Sequence, residues 1–250
     1  MTRESGKPTS ETAKMLEARE INTYYGKSHV LFDISFRLNR GEMVGLLGRN
    51  GVGKTTTLRT IMGLTPSASG SIRYKGAEIE SKKPHQIALA GIGFVPEERW
   101  IFPNLTVHQN LIMGIKPGQY GKKIQEGWTL DRCYENFPIL KERFNQKGGH
   151  LSGGEMQMLA IARTLMGNPE LILVDEPTEG LAPIIVEVVG KVIQQINASG
   201  TTVLLVEQKL QLVMGLVRRI YIMSKGMIQW EGTAGALRGQ EEIRKKYLEV

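Results

Sequence analysis

The sequence has a single cysteine, Cys133, among its 250 residues. One cysteine excludes an intrachain disulfide and is typical of a protein in a reducing compartment, so we expect Cys133 to serve helix packing. The strongest apolar runs, LILV and VLLV, have the length of buried strands and fall far short of the roughly 20 residues that span a bilayer. The opening MTRESGKPTSETAK lacks the apolar core of a secretory signal, and we therefore expect a cytoplasmic protein.

Basic residues are in modest excess, with 32 Lys and Arg against 25 Asp and Glu and a net charge of +7. Such an excess suits three kinds of acidic partner: nucleotide phosphates, anionic lipid headgroups and nucleic acid. The basic residues occur in short pairs, without a long basic stripe interleaved with aromatics, so nucleic acid is the least favoured of the three and we expect none. The four histidines have no metal-ligand spacing, and no structural metal is expected.

The order of predicted elements indicates one α/β domain. Residues 1–14 are polar and rich in Ser, Thr and Lys, which predicts a disordered tail before a single domain over 15–250. β-rich runs dominate up to about residue 97, helical periodicity dominates from 97 to 165, and strands then alternate with helices. This pattern predicts a mostly parallel core sheet with a helical subdomain inserted at about 97–165.

The segment GRNGVGKT fits the pattern G-x-x-x-x-G-K-[ST], with an apolar strand before it and a helix after it. Glycines let such a loop curl so that its N–H groups point at phosphate oxygens. We expect Lys54 to reach the β- and γ-phosphates and the Thr55 hydroxyl to coordinate Mg²⁺. The alternative is a glycine-rich turn that binds nothing. The predicted nucleotide-binding residues here are Gly48, Arg49, Asn50, Gly51, Val52, Gly53, Lys54, Thr55 and Thr56.

The segment LILVDE places two carboxylates at the end of a predicted buried strand. Open α/β sheets bind ligands at the carboxyl ends of their strands. We expect Asp175 to hold Mg²⁺ through water and Glu176 to polarise the attacking water as a general base. The alternative is an acidic pair that is simply exposed after a strand.

The segment LSGGEMQMLA begins a predicted helix with two glycines, which are poor helix formers. Ser152 and Glu155 have the spacing of a capping box. The bared N–H groups of Gly153 and Gly154 also suit an anion, although the motif contains no Lys or Arg to neutralise it. The two interpretations are compatible.

LSGGE resembles the signature motif, commonly LSGGQ, of ABC-type ATPases. With GRNGVGKTT and LILVDE in the same order, the resemblance covers about residues 15–250. It implies a P-loop NTPase fold with an antiparallel β subdomain and a helical insertion, and it implies ATP and Mg²⁺. It also implies that two subunits sandwich two ATP molecules, so that Ser152, Gly153, Gly154 and Glu155 close over the nucleotide of the partner.

The resemblance assigns further positions, several of which depart from the family pattern. Tyr25 matches the aromatic that stacks on adenine, with a packed tyrosine at a strand end as the alternative. Glu97 stands where most members have the glutamine that touches Mg²⁺ and water. Gln208 stands where most members have the switch histidine, and its amide can donate a hydrogen bond but cannot titrate. Ala182 replaces the usual loop aspartate.

Longer strings narrow the resemblance. PEERWIFPNLTV, LSGGE, PTEGLAP and VEQ together resemble one ATPase subunit of bacterial importers for branched-chain amino acids. YYGKSHVL and LLGRNGVGKTT are more similar to the related urea and short-chain amide importers. This implies a second ATPase subunit, identical or different, integral permease subunits, and indirectly a periplasmic substrate-binding protein. It places the chain at the inner face of the cell membrane.

Three alternatives stay open. The first is a soluble ABC-type ATPase without a permease, and the second is a P-loop kinase, which would leave LSGGE unexplained. The third is a choice between two roles of one segment, Phe102 with the apolar helix at 105–113. The segment forms either the core of the helical subdomain or the groove that receives a coupling helix of the permease.

Overall fold

The computed structural model describes residues 13–119 and 127–248. Most of the predicted tail lies outside the described residues. Lys14 already belongs to the first strand, one residue before the predicted start of the domain. In the described part of the chain, no helix combines the length and the apolar character needed to cross a membrane.

The described residues contain two sheets, ten α-helices and one short 3-10 helix, Gly148–His150. In chain order the strands are β1 (Lys14–Tyr25), β2 (Ser28–Asn39), β3 (Met43–Leu47), β4 (Ser67–Tyr74), β5 (Ala77–Glu78), β6 (Ile92–Val95), β7 (Leu171–Asp175), β8 (Thr202–Glu207), β9 (Arg219–Ser224) and β10 (Met227–Thr233). The helices are α1 (Lys54–Ile61), α2 (Pro84–Ala90), α3 (Val107–Ile112), α4 (Leu130–Asn136), α5 (Pro138–Glu142), α6 (Gly153–Leu165), α7 (Pro183–Ala198), α8 (Leu210–Leu216), α9 (Ala234–Arg238) and α10 (Glu241–Tyr247).

The larger sheet has six strands in the order β10-β9-β3-β8-β7-β6. The pairs from β9 to β6 are all parallel, and only the edge strand β10 runs antiparallel to its neighbour. This confirms the predicted mostly parallel core sheet. The smaller sheet has the order β2-β1-β4-β5 and is antiparallel throughout, which confirms the expected antiparallel β subdomain.

The parallel sheet is buried on both faces, and strand β7 illustrates why its sequence is continuously apolar. Leu171 and Leu173 pack in the cluster that the antiparallel sheet and α1 share. Ile172 and Val174, which point to the opposite face, pack in the cluster that contains α6 and α7. The sheet therefore separates two cores, and the residues that follow its strands lie along a common rigid edge.

The helices α3 to α6 lie in the chain between β6 and β7, where helical periodicity predicts them. The stretch TLDRCYENFPIL at 129–140, which is helical in period, does not form one continuous helix. Phe137 leaves the helical conformation, with φ −128° and ψ 68°, and α5 begins afresh at Pro138. A proline lacks the N–H that would continue the helix and disfavours helical backbone in the residue before it. Cys133 is fully buried in α4, which confirms its predicted packing role.

Candidate functional site

The site residues follow neighbouring strands of the parallel sheet. β8 lies between β3 and β7, and all three are parallel, so their carboxyl ends meet at one edge. The glycine-rich loop follows β3, Asp175 ends β7, and Gln208 comes directly after β8. β6 flanks β7 on the other side and leads to Glu97. The topology thus gathers residues that are up to 160 positions apart in sequence.

The loop between β3 and α1 requires glycine at specific points. A Cβ on Gly48 would lie 2.5 Å from the Met223 carbonyl oxygen. Gly53 has φ +106°, and a side chain there would also meet Leu31 at 2.8 Å. Gly53 is the residue that caps α1, and no side chain bonds to the N–H groups of this helix start. The loop therefore presents backbone donors in a form suited to an anion.

Lys54 is buried at the centre of this region, with 3% of its surface exposed. Its Nζ donates to the carbonyl oxygens of Gly48 and Arg49, each at 2.8 Å. The same Nζ lies 3.1 Å from Oε1 of Glu176. The ammonium is thus held by its own loop and by the carboxylate predicted to be the general base.

Glu176 is 7% exposed and has φ +41°, a backbone conformation that is uncommon for a residue with a side chain. Its N–H donates to the Val206 carbonyl at 2.9 Å, which ties the start of the loop to β8. Its Oε2 accepts a hydrogen bond from Nε2 of Gln208. The structure therefore brings together Lys54, Glu176 and Gln208, with Glu176 between the other two.

Glu207 fixes the position of Gln208, and the sequence gives no direct signal for this role. Its Oε2 accepts from the N–H of Gln208 at 3.0 Å, and its Oε1 accepts from Oγ1 and N of Thr178 at 2.6 and 3.2 Å. Glu207 is 2% exposed. It links the end of β8 to the loop that follows Glu176.

Asp175 lies next to Thr55. The Thr55 hydroxyl donates to Oδ1 of Asp175 at 3.2 Å. Oδ2 of Asp175 is buried and has no hydrogen-bond partner within the described residues. Burial raises the pKa of Asp175 to about 7, against the lowering effect of the Thr55 hydrogen bond. An unpartnered buried carboxylate oxygen beside a hydroxyl is an oxygen donor set of the kind that a hard cation such as Mg²⁺ takes.

Glu97 is exposed and lines the same cleft as Lys54 and Glu176. Partial burial raises its pKa, and the negative charge of Glu176 raises it further. The cleft has a volume of about 290 Å³. Its lining residues are Val30, Asn50, Gly51, Gly53, Lys54, Thr55, Thr56, Glu97, Glu176, Glu179 and Gln208. Val30 and Glu179 were not among the predicted site residues.

Tyr25 ends strand β1 and is 46% exposed, with its hydroxyl 3.3 Å from Oγ1 of Thr65. It is not packed away at the strand end, which was the alternative to a stacking role. It does not belong to the lining of the 290 Å³ cleft.

The capping box predicted for the signature segment is confirmed. The N–H of Ser152 donates to Oε2 of Glu155 at 2.7 Å, and the N–H of Glu155 donates to Oγ of Ser152 at 3.3 Å. Gly153 and Gly154 are the first two residues of α6. A Cβ on Gly154 would lie 2.8 Å from Cγ2 of Ile185, so packing against α7 also favours glycine there.

The structure does not bring Ser152, Gly153, Gly154 or Glu155 into the cleft that contains Lys54. The predicted residues therefore form two separate surfaces of one chain. One surface carries the glycine-rich loop and the carboxylates, and the other carries the start of α6.

A second concavity of about 910 Å³ lies between α2 with β6 on one side and the helical insertion on the other, and it is lined mainly by apolar side chains. Trp100, Phe102 and Met113 are 48%, 44% and 60% exposed within it. We call it the apolar groove. The exposure of Phe102 does not fit the interpretation that it belongs to the core of the helical subdomain, whereas Val107 and Leu111 of α3 are fully buried in that core.

A sequence profile described as ABC transporter matches residues 31–179. Over 234 residues the chain is 44% identical to the high-affinity branched-chain amino acid transport ATP-binding protein BraG of Pseudomonas aeruginosa. The alignment covers 94% of this chain and 99% of that protein. The chain is 36% identical over 234 residues to the lipopolysaccharide export system ATP-binding protein LptB of Haemophilus influenzae, and the alignment covers 94% of this chain and 97% of that protein. A crystal structure of a nucleotide-free ATP-binding cassette from an ABC transporter matches with a TM-score of 0.80 at 28% identity, covering 94% of this chain and 98% of that one.

Proposed function

The chain belongs to the ABC transporter family as one of its ATP-hydrolysing cassettes, and on that premise we propose that it powers a bacterial importer of branched-chain amino acids or of urea and related amides. ATP hydrolysis is supported by one observation, the arrangement of Lys54, Glu176 and Gln208 in one cleft beside the Thr55–Asp175 pair. The 44% identity to a branched-chain amino acid transport protein supports the import part.

In this proposal the glycine-rich loop and Lys54 hold the phosphates of ATP, and the exposed ring of Tyr25 stacks on adenine. Thr55 and Asp175 hold Mg²⁺, with Glu97 as a further oxygen donor. The unpartnered Oδ2 of Asp175 supports this assignment, because a buried carboxylate oxygen without a donor is costly. Bound Mg²⁺ would offset the negative charge of the phosphates.

The attacking water transfers its proton to a residue of the protein. Lys54 exchanges its contact with Oε1 of Glu176 for phosphate oxygens and keeps its two bonds to the loop carbonyls. The Glu176 carboxylate is then free to accept a proton from the attacking water. Gln208, held by Glu207, donates from its amide and keeps the carboxylate oriented. Because glutamine does not titrate, we expect this donation to be independent of pH in the physiological range.

The separation of the signature surface from the cleft supports a two-subunit site. Ser152 and the N–H groups of Gly153 and Gly154 offer hydrogen bonds to a phosphate but no full charge. Such a surface suits a phosphate whose charge is balanced elsewhere, by Lys54 and Mg²⁺ of a second subunit. We propose that two ATPase subunits, identical or different, close over two ATP molecules in this way.

The apolar groove is the proposed contact with the permease. Its exposed Trp100, Phe102 and Met113 form a concave apolar surface of the kind that receives an amphipathic helix. This contact would hold the chain at the cytoplasmic face of the membrane. A periplasmic binding protein would take part only indirectly, since the ATPase subunit need not touch the cargo.

The competing function is an ABC-type ATPase that acts without a permease. Affinity purification from detergent-solubilised membranes separates the two. Permease subunits that co-purify in stoichiometric amount support the transporter, and their absence contradicts it. Uptake of labelled leucine and of labelled urea by cells with and without the gene then decides the cargo. Because a lipopolysaccharide export protein is also similar, loss of an export activity with normal uptake would overturn the import assignment.

A further inference from the structure

Two consecutive residues after Glu97 adopt an unusual backbone conformation. Arg99 has φ +64° and Trp100 has φ +39°, both in the left-handed region that side chains other than glycine disfavour. Strained positions of this kind persist where surrounding contacts hold them, and they concentrate at functional sites. The contacts of Arg99 show what holds it here.

The Arg99 guanidinium joins two segments of the chain. Its Nε donates to Oε1 of Gln157 at 3.1 Å, and its Nη2 donates to the backbone oxygen of Glu179 at 3.1 Å. Gln157 is a buried residue in the second turn of α6, and Glu179 lies three residues after Glu176. Nη1 lies 3.9 Å from the point where a Cβ on Gly153 would be. The side chain therefore spans from the start of the signature helix to the loop that carries Glu176.

The main chain of Arg99 adds a third link. Its carbonyl oxygen accepts a hydrogen bond from Nη2 of Arg163, one further residue of α6, at 3.3 Å. The segment that leads from Glu97 is thus tied to α6 through its backbone as well as through its side chain. Three functional segments, those of Glu97, Glu176 and Ser152, meet at this single residue.

We propose that Arg99 is a positioning residue that holds the loop after Glu176 in register with the signature helix. This rests on the proposed function, in which Glu176 acts on the ATP of its own subunit and Ser152 on the ATP of the partner. Arg99 then connects the residues that serve the two nucleotides. Arg99 does not line the cleft that contains Lys54, so its loss should change turnover and leave the affinity of the Lys54 loop for ATP intact.

Arginine is suited to this task and lysine is not. The planar guanidinium donates in two directions at once, to the Gln157 amide and to the Glu179 carbonyl. A lysine ammonium at the end of a flexible stem keeps the charge without the fixed fork. The bidentate role therefore predicts that Arg99→Lys fails to rescue activity.

The test measures ATP turnover of the full chain, purified with the subunits that accompany it, together with equilibrium binding of a fluorescent ATP analogue. For Arg99→Gln we expect kcat to fall about tenfold or more, since small displacements of catalytic groups have effects of this size, with the dissociation constant within about twofold of wild type. Arg99→Lys should match Arg99→Gln. Gln157→Met should lower kcat as well, and the double variant Arg99→Gln, Gln157→Met should lose little beyond Arg99→Gln, because contacting residues are not additive.

Arg73→Gln is the matched control, since Arg73 pairs with Glu78 on the exposed face of the antiparallel sheet, and it should keep wild-type turnover. The proposal is overturned if Arg99→Gln keeps kcat within about twofold of wild type or if Arg99→Lys restores kcat. It is overturned too if the effects of Arg99→Gln and Gln157→Met on kcat multiply in the double variant, as the effects of independent substitutions do. It is also overturned if the variants lose nucleotide affinity in parallel with turnover. A wild-type complex that does not hydrolyse ATP contradicts the proposed function instead. Arg99→Lys retains the charge and serves as the test if Arg99→Gln does not fold.

Discussion

Replacing Asp175 with asparagine is expected to stabilise the protein in buffer without nucleotide or divalent metal. Asp175 is fully buried at the end of β7, and Oδ2 has no hydrogen-bond partner among the residues that the structure describes. Asparagine has nearly the same shape and keeps a carbonyl oxygen for the Thr55 hydroxyl. The substitution removes the charge and places an amide NH2 group at the position of Oδ2, and the cost of burying that donor offsets part of the gain.

The magnitude follows from the pKa of Asp175, which burial raises from 3.8 to about 7. The folded state holds the proton more tightly than the unfolded chain, so this carboxyl lowers stability progressively as the pH rises from about 4 to about 7. A difference of about three pKa units corresponds to about 4 kcal/mol, and the full penalty is present above pH 7. We expect Asp175→Asn to raise the free energy of unfolding at pH 8 by about 2–4 kcal/mol, and by roughly half as much at pH 5.

Urea denaturation at pH 5, 6, 7 and 8 in the presence of EDTA measures this difference. Asp131→Asn, at an exposed position in the first turn of α4, is the control and should change stability by less than about 1 kcal/mol at every pH. A stability difference between Asp175→Asn and wild type that stays constant from pH 5 to 8 would contradict a raised pKa for Asp175. A variant that is less stable than wild type at pH 8 would refute it as well.

Three further substitutions test the proposed function. Glu176→Gln should retain ATP binding while turnover falls at least about a hundredfold, the usual size of a general-base loss, and near-normal turnover would remove Glu176 from that role. Ser152→Arg should abolish turnover but spare nucleotide binding by the isolated chain; equal loss of both would contradict a role across two subunits. Phe102→Ser should weaken co-purification of the permease with ATP binding unchanged, and an undiminished pulldown would place the permease contact elsewhere.

Local sequence patterns predicted the parts of the structure that depend on local physics. The alternation of strands and helices predicted the parallel sheet. Continuously apolar strands such as β7 supported that prediction, because the strands of a parallel sheet are buried on both faces. The spacing of Ser152 and Glu155 predicted the capping box that the structure contains. The break at Phe137 was missed because helical periodicity of apolar residues continues across it, while the proline at 138 interrupts the backbone.

The candidate site was predictable where residue type and chemistry coincide, as with Lys54, Asp175 and Glu176. The residues that hold these groups in place were not predictable from the sequence. Glu207 and Arg99 act through hydrogen bonds to segments 29 to 80 positions away, so only the folded chain reveals their partners. Arg99 lies in PEERWIFPNLTV and Glu207 in VEQ, and the family resemblance singled out both strings without a physical reason for either residue.

The ion pair between Lys54 and Glu176 has a consequence for what the cleft admits. An anion that enters must compete with an internal carboxylate for the same ammonium group, at a site where both partners are less than 10% exposed. A small anion such as inorganic phosphate gains little from that exchange, since it leaves a buried carboxylate without its counter-charge. A ligand that also brings a cation and an extended chain of phosphates compensates the loss. If the proposed function holds, we therefore expect the Lys54–Glu176 ion pair to make the cleft bind a metal-bound triphosphate in preference to simpler anions.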